Sequence, residues 1–235
     1  MNGLIRLYLK ELREHRLLLG GTVGAIACLY AYVLFGVEGE ASAFMLASFP
    51  ISITTAALTF GLFSAFWGEW KGQTHYLLLA LPISRAAIPL SKYLSVLTAG
   101  MIVYLMAVLS ILGLKVPLET STQILQQFQL DPKTLMIFFC TQWFAWLILL
   151  LGIVVGSVSI RYSVSRRPSL AIAGFLILTF FAYLYFLRPF AGLLGEDVGF
   201  FRLWLAHPAQ IAYTFLCGLL ITIGGLVLFE KRAEI

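Results

Sequence analysis

Charge is what this sequence has least of. Asp, Glu, Lys and Arg make up 11% of its 235 residues, 60% are hydrophobic, and the mean hydropathy is +0.93. A water-soluble domain of this size covers its surface with far more polar groups, so a soluble globule is excluded and lipid is the natural solvent. Histidine is scarcer still, with three in the chain. His15, His75 and His207 lie far apart, each at the end of an apolar run, and so build no metal or general-base site. Cys28, Cys140 and Cys217 sit inside apolar runs with no C-x-x-C spacing, which reads as small apolar side chains rather than a disulfide. No G-x-x-x-x-G-K-[ST] loop occurs, so the chain lacks the standard means of holding ATP. No catalytic residue, no metal and no cofactor of its own are expected, and the chain is not read as an enzyme.

What is present in quantity is apolar sequence in runs long enough to cross a bilayer, which takes about 20 residues per helix. Six qualify: approximately Leu17–Gly36, Phe44–Trp67, Tyr93–Leu114, Thr134–Ile160, Ser169–Leu187 and Ala209–Phe229. Backbone polar groups in lipid must be paired within the segment, so the runs are helices. As drawn, none has an ionisable residue in its middle, which disfavours an ion-coupled transporter working alone. Twelve of the sixteen Lys and Arg residues fall on one side, among them Arg6, Lys10, Arg13, Arg16, Lys71, Arg85, Lys92, Arg161, Arg166 and Arg167. That bias places both termini in the cytosol and makes the net charge of +5 a topology signal without any call on nucleic acid. Ala41-Ser42-Ala43 resembles a signal-peptide cleavage site, but the apolar run before it is too long and acidic residues intervene.

The expected fold is therefore an all-α integral membrane protein of one domain. Residues 1–16 form an amphipathic interfacial helix, with Leu4, Ile5, Tyr8, Leu9 and Leu12 at helical spacing and Arg6, Lys10 and Arg13 opposite. Residues 17–235 form the six-span part. Pro50 interrupts the second span near Ser52, Thr54, Thr55 and Thr59, hydroxyls able to take up carbonyls that proline frees. Gly20-x-x-x-Gly24 and Gly152-x-x-x-Gly156 offer faces for close helix approach. An outer segment, 188–208, can dip into the membrane as two half-helices or rest on its surface. Scattered hydroxyls (Tyr30, Tyr32, Thr54, Thr55, Tyr104, Thr141, Tyr183, Tyr185) would suit an amphipathic cargo such as a peptide, toxin or drug.

The polar stretch 69–92, EWKGQTHYLLLALPISRAAIPLSK, has an order that lipid-facing helices do not need. Thr74–Leu81 reads as a short helix with Leu77, Leu78, Leu79 and Leu81 around too much of its girth for exposure to water. Pro82 ends it, and Ser84 caps a second helix from about Arg85. A leucine patch rimmed by Glu69, Lys71 and Arg85 suits a protein contact. Composition alone is equally satisfied by a loop folded back on its own bundle. The residue order goes further. Glu69, Gly72, Thr74, Leu78-Leu79, Leu81-Pro82-Ile83-Ser84-Arg85 and Ser91-Lys92 together resemble the cytosolic loop of type-2 ABC transporter permeases, with Gly-Gln-Thr where members often have Gly-Thr adjacent. The layout of interfacial helix, six spans and broken outer loop is similar as well. The resemblance implies one half of an ABC exporter, paired with a second permease chain, identical or paralogous, and with two cytosolic ABC ATPase subunits. ATP and Mg would be bound by the ATPases alone. Glu69, Gly72, Thr74, Leu78, Leu79, Pro82, Ser84 and Arg85 would then belong to a coupling segment between spans 2 and 3. A stand-alone secondary transporter or channel, or a membrane assembly factor, is the alternative.

Overall fold

The computed structural model describes residues 2–14, 40–71, 84–113, 132–164, 166–193 and 208–232, with a few positions between 16 and 31. Six helices account for nearly all of them: α1 (Asn2–Glu14), α2 (Glu40–Lys71), α3 (Ala87–Gly113), α4 (Pro132–Ser163), α5 (Pro168–Leu193) and α6 (Pro208–Arg232). Stretches of α2 to α6 are long and apolar enough to cross a membrane: Ile51–Gly68, Ala87–Leu109, Ile137–Ser163, Pro168–Leu187 and Pro208–Lys231. The chain is thus a multi-pass helical membrane protein. Most of the first expected span, 17–36, lies outside the described residues.

The helices run beyond the apolar runs that announce them. α3 begins six residues before Tyr93 and so takes Lys92 into the helix. α5 continues past Leu187 to Leu193 with Pro189 inside it. The apolar span itself ends at Leu187, as expected, and the helix outlasts it by six residues. A proline there removes one backbone donor, and the carbonyl it leaves four residues back belongs to Tyr185, a residue 75% exposed. The rest of the outer segment, 194–207, lies outside the described residues, as does 114–131.

α4 is the axis of the bundle, packed against α2, α3, α5 and α6. Its span and that of α5 have the same mean hydropathy, 2.3, yet 61% of the first is buried and 11% of the second. Lipid is as apolar as leucine, so hydropathy does not choose which helix goes inside; small residues that let backbones approach do. Gly152 and Gly156 supply them on α4, and α6 answers with Gly218 and Gly225. A Cβ at Gly218 would stand 2.7 Å from Leu149 N, and one at Gly225 would stand 3.1 Å from Gly156 Cα. The two contacts share one sequence offset, so α4 and α6 lie parallel. Around Gly20 and Gly24, by contrast, no described residue stands within 4 Å of where a Cβ would be.

The main core joins Leu58, Leu62 and Phe66 of α2, Tyr93, Val96 and Ala99 of α3, Leu147, Leu151 and Val155 of α4, and Phe229 of α6. Hydroxyls within the spans are largely spent on packing. Tyr104 Oη meets Thr141 Oγ1 at 3.0 Å between α3 and α4, and Tyr183 Oη meets Thr214 Oγ1 at 2.8 Å between α5 and α6. Thr55 and Thr59 donate to the carbonyls of Ile51 and Thr55, at 2.8 and 2.7 Å. These two hydroxyls therefore serve carbonyls beyond Pro50 rather than one that the proline frees, because a threonine in a helix reaches back only one turn.

Candidate functional site at the charged end of the bundle

The ends of α2, α4 and α6 and the beginnings of α3 and α5 meet at one end of the bundle, where α1 also packs. α1 is held by its side against α3, and Tyr8 Oη lies 3.0 Å from Thr98 Oγ1. The packed face carries Leu7 and Glu11, both buried, flanked by Leu4, Tyr8 and Leu12. Ile5 and Leu9, expected on one stripe with them, are 50% and 54% exposed and share the outer face with Arg6, Lys10 and Arg13. The stripe is split because α3 occupies part of it. The remaining apolar and basic residues form the kind of surface that rests among lipid headgroups.

Glu11 is the central finding. Its carboxylate Oε1 accepts a hydrogen bond of 2.9 Å from Lys92 Nζ, and the two side chains are 1% and 4% exposed. The Lys92 ammonium also stands 5.7 Å from the centroid of the Phe66 ring. An ion pair so deeply buried costs both partners their hydration and is held only with good geometry. It ties α1 to α3 at the sixth residue of α3, and Phe66 brings in α2. Sequence reading counted Lys92 as a topology charge at the border of a span and did not single out Glu11. The signal was available: at i+4 from Leu7 and i+3 from Tyr8, Glu11 is a lone acid on the packed face of an otherwise apolar stripe.

A second carboxylate reaches the start of α3 from the opposite direction. Glu230, in the last turn of α6, accepts a hydrogen bond from Ala86 N–H at 2.6 Å through Oε2. An anion at a helix N-terminus satisfies an orphan donor and complements the helix dipole. Ser84, expected to cap this helix, is exposed, and its carbonyl accepts from Ala87 N–H at 3.0 Å; Arg85 O accepts from Ile88 N–H at 3.2 Å. The turn at residues 84–86 is thereby fixed to α6, while α3 just beyond it is fixed to α1. Tyr162 of α4 packs edge-on against Phe229, with ring centroids 5.2 Å apart. Arg161 of α4 places its guanidinium carbon 5.1 Å from the centroid of Trp67, near the end of α2.

Of the residues assigned from sequence to the segment between α2 and α3, Glu69 falls in the last turn of α2, and Ser84 and Arg85 form the turn into α3. Gly72, Thr74, Leu78, Leu79 and Pro82 lie outside the described residues. Among the described residues no cluster of three or more His, Cys, Asp or Glu could hold a metal ion. The geometry is that of a mechanical anchorage: two carboxylates, Glu11 and Glu230, clamp the start of one span to two other helices. No family model matches this chain, and neither does any curated protein or solved structure.

Proposed function

We propose that the chain is the permease subunit of an ATP-driven ABC exporter in the cytoplasmic membrane, with its charged end in the cytosol. It would form half of the translocation pathway beside a second permease chain, homo- or heterodimeric, and couple to separate cytosolic ABC ATPase subunits that bind ATP and Mg. The observation that carries this reading is the clamp at the start of α3. The residues that resemble a coupling segment, Glu69 to Arg85, end at a turn bonded to Glu230, and Lys92 follows two turns later on Glu11. A push delivered to that segment would reach α1, α3 and α6 together instead of being absorbed in a loose loop.

Co-purification in mild detergent with ATPases from the same source tests it. Wild type is expected to retain an ATPase that the Leu79→Asp plus Arg85→Glu double variant loses, with both proteins inserted equally well. An ATPase retained equally by both would remove residues 69–85 as the coupling surface, and recovery with neither would set the exporter reading aside.

One observation favours a second reading. The absence of charge within the spans counts against a gradient-driven transporter, and Lys92, buried on Glu11 of α1, is a charge inside the first turns of a span. Transport that collapses with a protonophore while ATP is maintained would select that reading.

The cargo is proposed to be amphipathic, a peptide, toxin or drug. With Tyr104, Thr141 and Tyr183 engaged in helix contacts, the polar group that supports this best is Gln142 of α4. It is 6% exposed, and neither amide atom has a hydrogen-bond partner among the described residues. An unsatisfied buried amide costs about 1–3 kcal/mol. Gln142→Leu is therefore expected to raise the unfolding temperature in detergent and lower the rate of cargo transport. A rise in stability with transport unchanged would assign Gln142 no part in the pathway.

A further inference from the structure

α3 fixes the depth at which α1 lies. It has 27 residues, about 40 Å of helix at 1.5 Å per residue, whereas a hydrocarbon core of about 30 Å takes about 20. About seven residues therefore stand outside the core. The one charge in α3 is Lys92, near its start, so the hydrocarbon begins beside Lys92. α1 meets α3 at that level: Glu11 is bonded to Lys92, and Tyr8 reaches Thr98, less than two turns further in.

The same contacts fix which way α1 is turned about its own axis. Leu12 lines a notch with Thr98, Ala99 and Ile102, so its side of α1 is the deep one. Ile5 lies seven residues before Leu12 and Leu9 three, which puts the exposed Ile5–Leu9 line next to the hydrocarbon. Further round come Arg6 and Arg13, exposed, two turns apart on one line, and level with the headgroups. Lys10 stands one turn before Glu14, which offsets its charge, so the two arginines carry the positive charge outwards. A protein partner fits this face poorly. The outer residues of a 13-residue helix fall far short of the roughly 20–30 residues a side in a stable interface.

We infer that α1 binds anionic lipid headgroups selectively, with Arg6 and Arg13 on phosphates and Ile5 and Leu9 in the hydrocarbon beneath. Lipid charge thereby sets how firmly α1 is held over Lys92 at the start of α3. A guanidinium pairs with phosphate through two parallel hydrogen bonds, and the cation of a zwitterionic headgroup offsets part of that attraction. Each basic residue beside an anionic surface is worth about a fivefold factor in binding. The inference stands apart from the exporter reading, since it needs only the bundle and its membrane.

Hydrogen exchange of the α1 backbone amides, in the full chain reconstituted into nanodiscs, tests it. Replacing half of the phosphatidylcholine by phosphatidylglycerol is expected to slow exchange in α1 at least fivefold and to leave α4 unchanged. Arg6→Gln with Arg13→Gln, both exposed, should fold normally and remove the difference. Arg166→Gln with Arg167→Gln, exposed at the turn before α5, should keep it. Salt at about 1 M, where the screening length falls to about 3 Å, should abolish it in wild type. Equal exchange in the two lipids for wild type, or a difference kept by the Arg6 and Arg13 variant, overturns the inference. So does a difference lost equally in the Arg166 and Arg167 variant, which would show a response to overall charge. Slowing by millimolar inorganic phosphate in phosphatidylcholine discs overturns it too, as the mark of a soluble-anion site.

Discussion

Gly218→Leu is expected to prevent the bundle from assembling, lowering stability by about 3 kcal/mol or more. A Cβ at this position meets Leu149 N at 2.7 Å, Leu149 Cα at 2.8 Å and Ile148 C at 2.9 Å. All three are backbone atoms, so no side-chain rotation relieves the clash and α6 has to move off α4. Because α4 is packed on four helices, separation there loosens the remaining contacts as well. Gly224→Leu, on the same helix, is the control. Nothing lies within 4 Å of its Cβ position, and removing a helical glycine is worth up to about 1 kcal/mol of stability. Size-exclusion profiles and thermal unfolding in one detergent separate the two. If Gly218→Leu elutes and melts like Gly224→Leu, the α4–α6 seam is not the close contact described here.

The glycine seam also shows what sequence could and could not reveal. Gly152 and Gly156 stand out at i, i+4, but so do Gly20 and Gly24, which have no close neighbour among the described residues. A small-residue spacing says that a helix can be approached, not that it is. Gly218 and Gly225 are seven residues apart, two turns on one face, a repeat that a search for four-residue spacing passes over. The existence and number of the later spans were legible because lipid imposes length and hydropathy on each separately. Which span is central was not, since α4 and α5 are equally apolar and differ in what packs against them.

The charged end was half legible. Order and composition drew attention to residues 69–92, and the turn into α3 is at the position expected, two residues late. What fastens it is invisible locally: Glu230 lies 144 positions from Ala86, and Glu11 lies 81 from Lys92. Treating Lys92 as a flanking charge followed from cutting spans at the edges of apolar runs. A helix with an internal partner for its lysine can begin earlier than its hydropathy does.

Removing one member of the Glu11–Lys92 pair is expected to cost about 3–5 kcal/mol, because the other is left charged among Phe66, Leu7 and the α3 wall. Glu11→Leu or Lys92→Met alone should therefore yield little folded protein. The double variant removes both charges and keeps apolar volume, and exchanges of this kind are often neutral or stabilising. It should recover the unfolding temperature of wild type. Under the proposed exporter function, transport by this double variant decides what the pair is for. Recovery of both stability and transport would make it a structural peg. Recovery of stability with loss of ATP-dependent transport would mean that α1 and α3 have to part during the cycle, since an ion pair can be released to headgroups and water where an apolar contact is held. On the exporter reading proposed above, the exposed apolar and basic face of Ile5, Leu9, Arg6, Lys10 and Arg13 would let α1 move among headgroups, so loss of transport is the outcome that reading expects. A charge-swapped pair, Glu11→Lys with Lys92→Glu, restores a separable contact and should regain part of the transport that the apolar pair loses. Failure of the swap to do so, in a folded protein, would return the pair to a purely structural role.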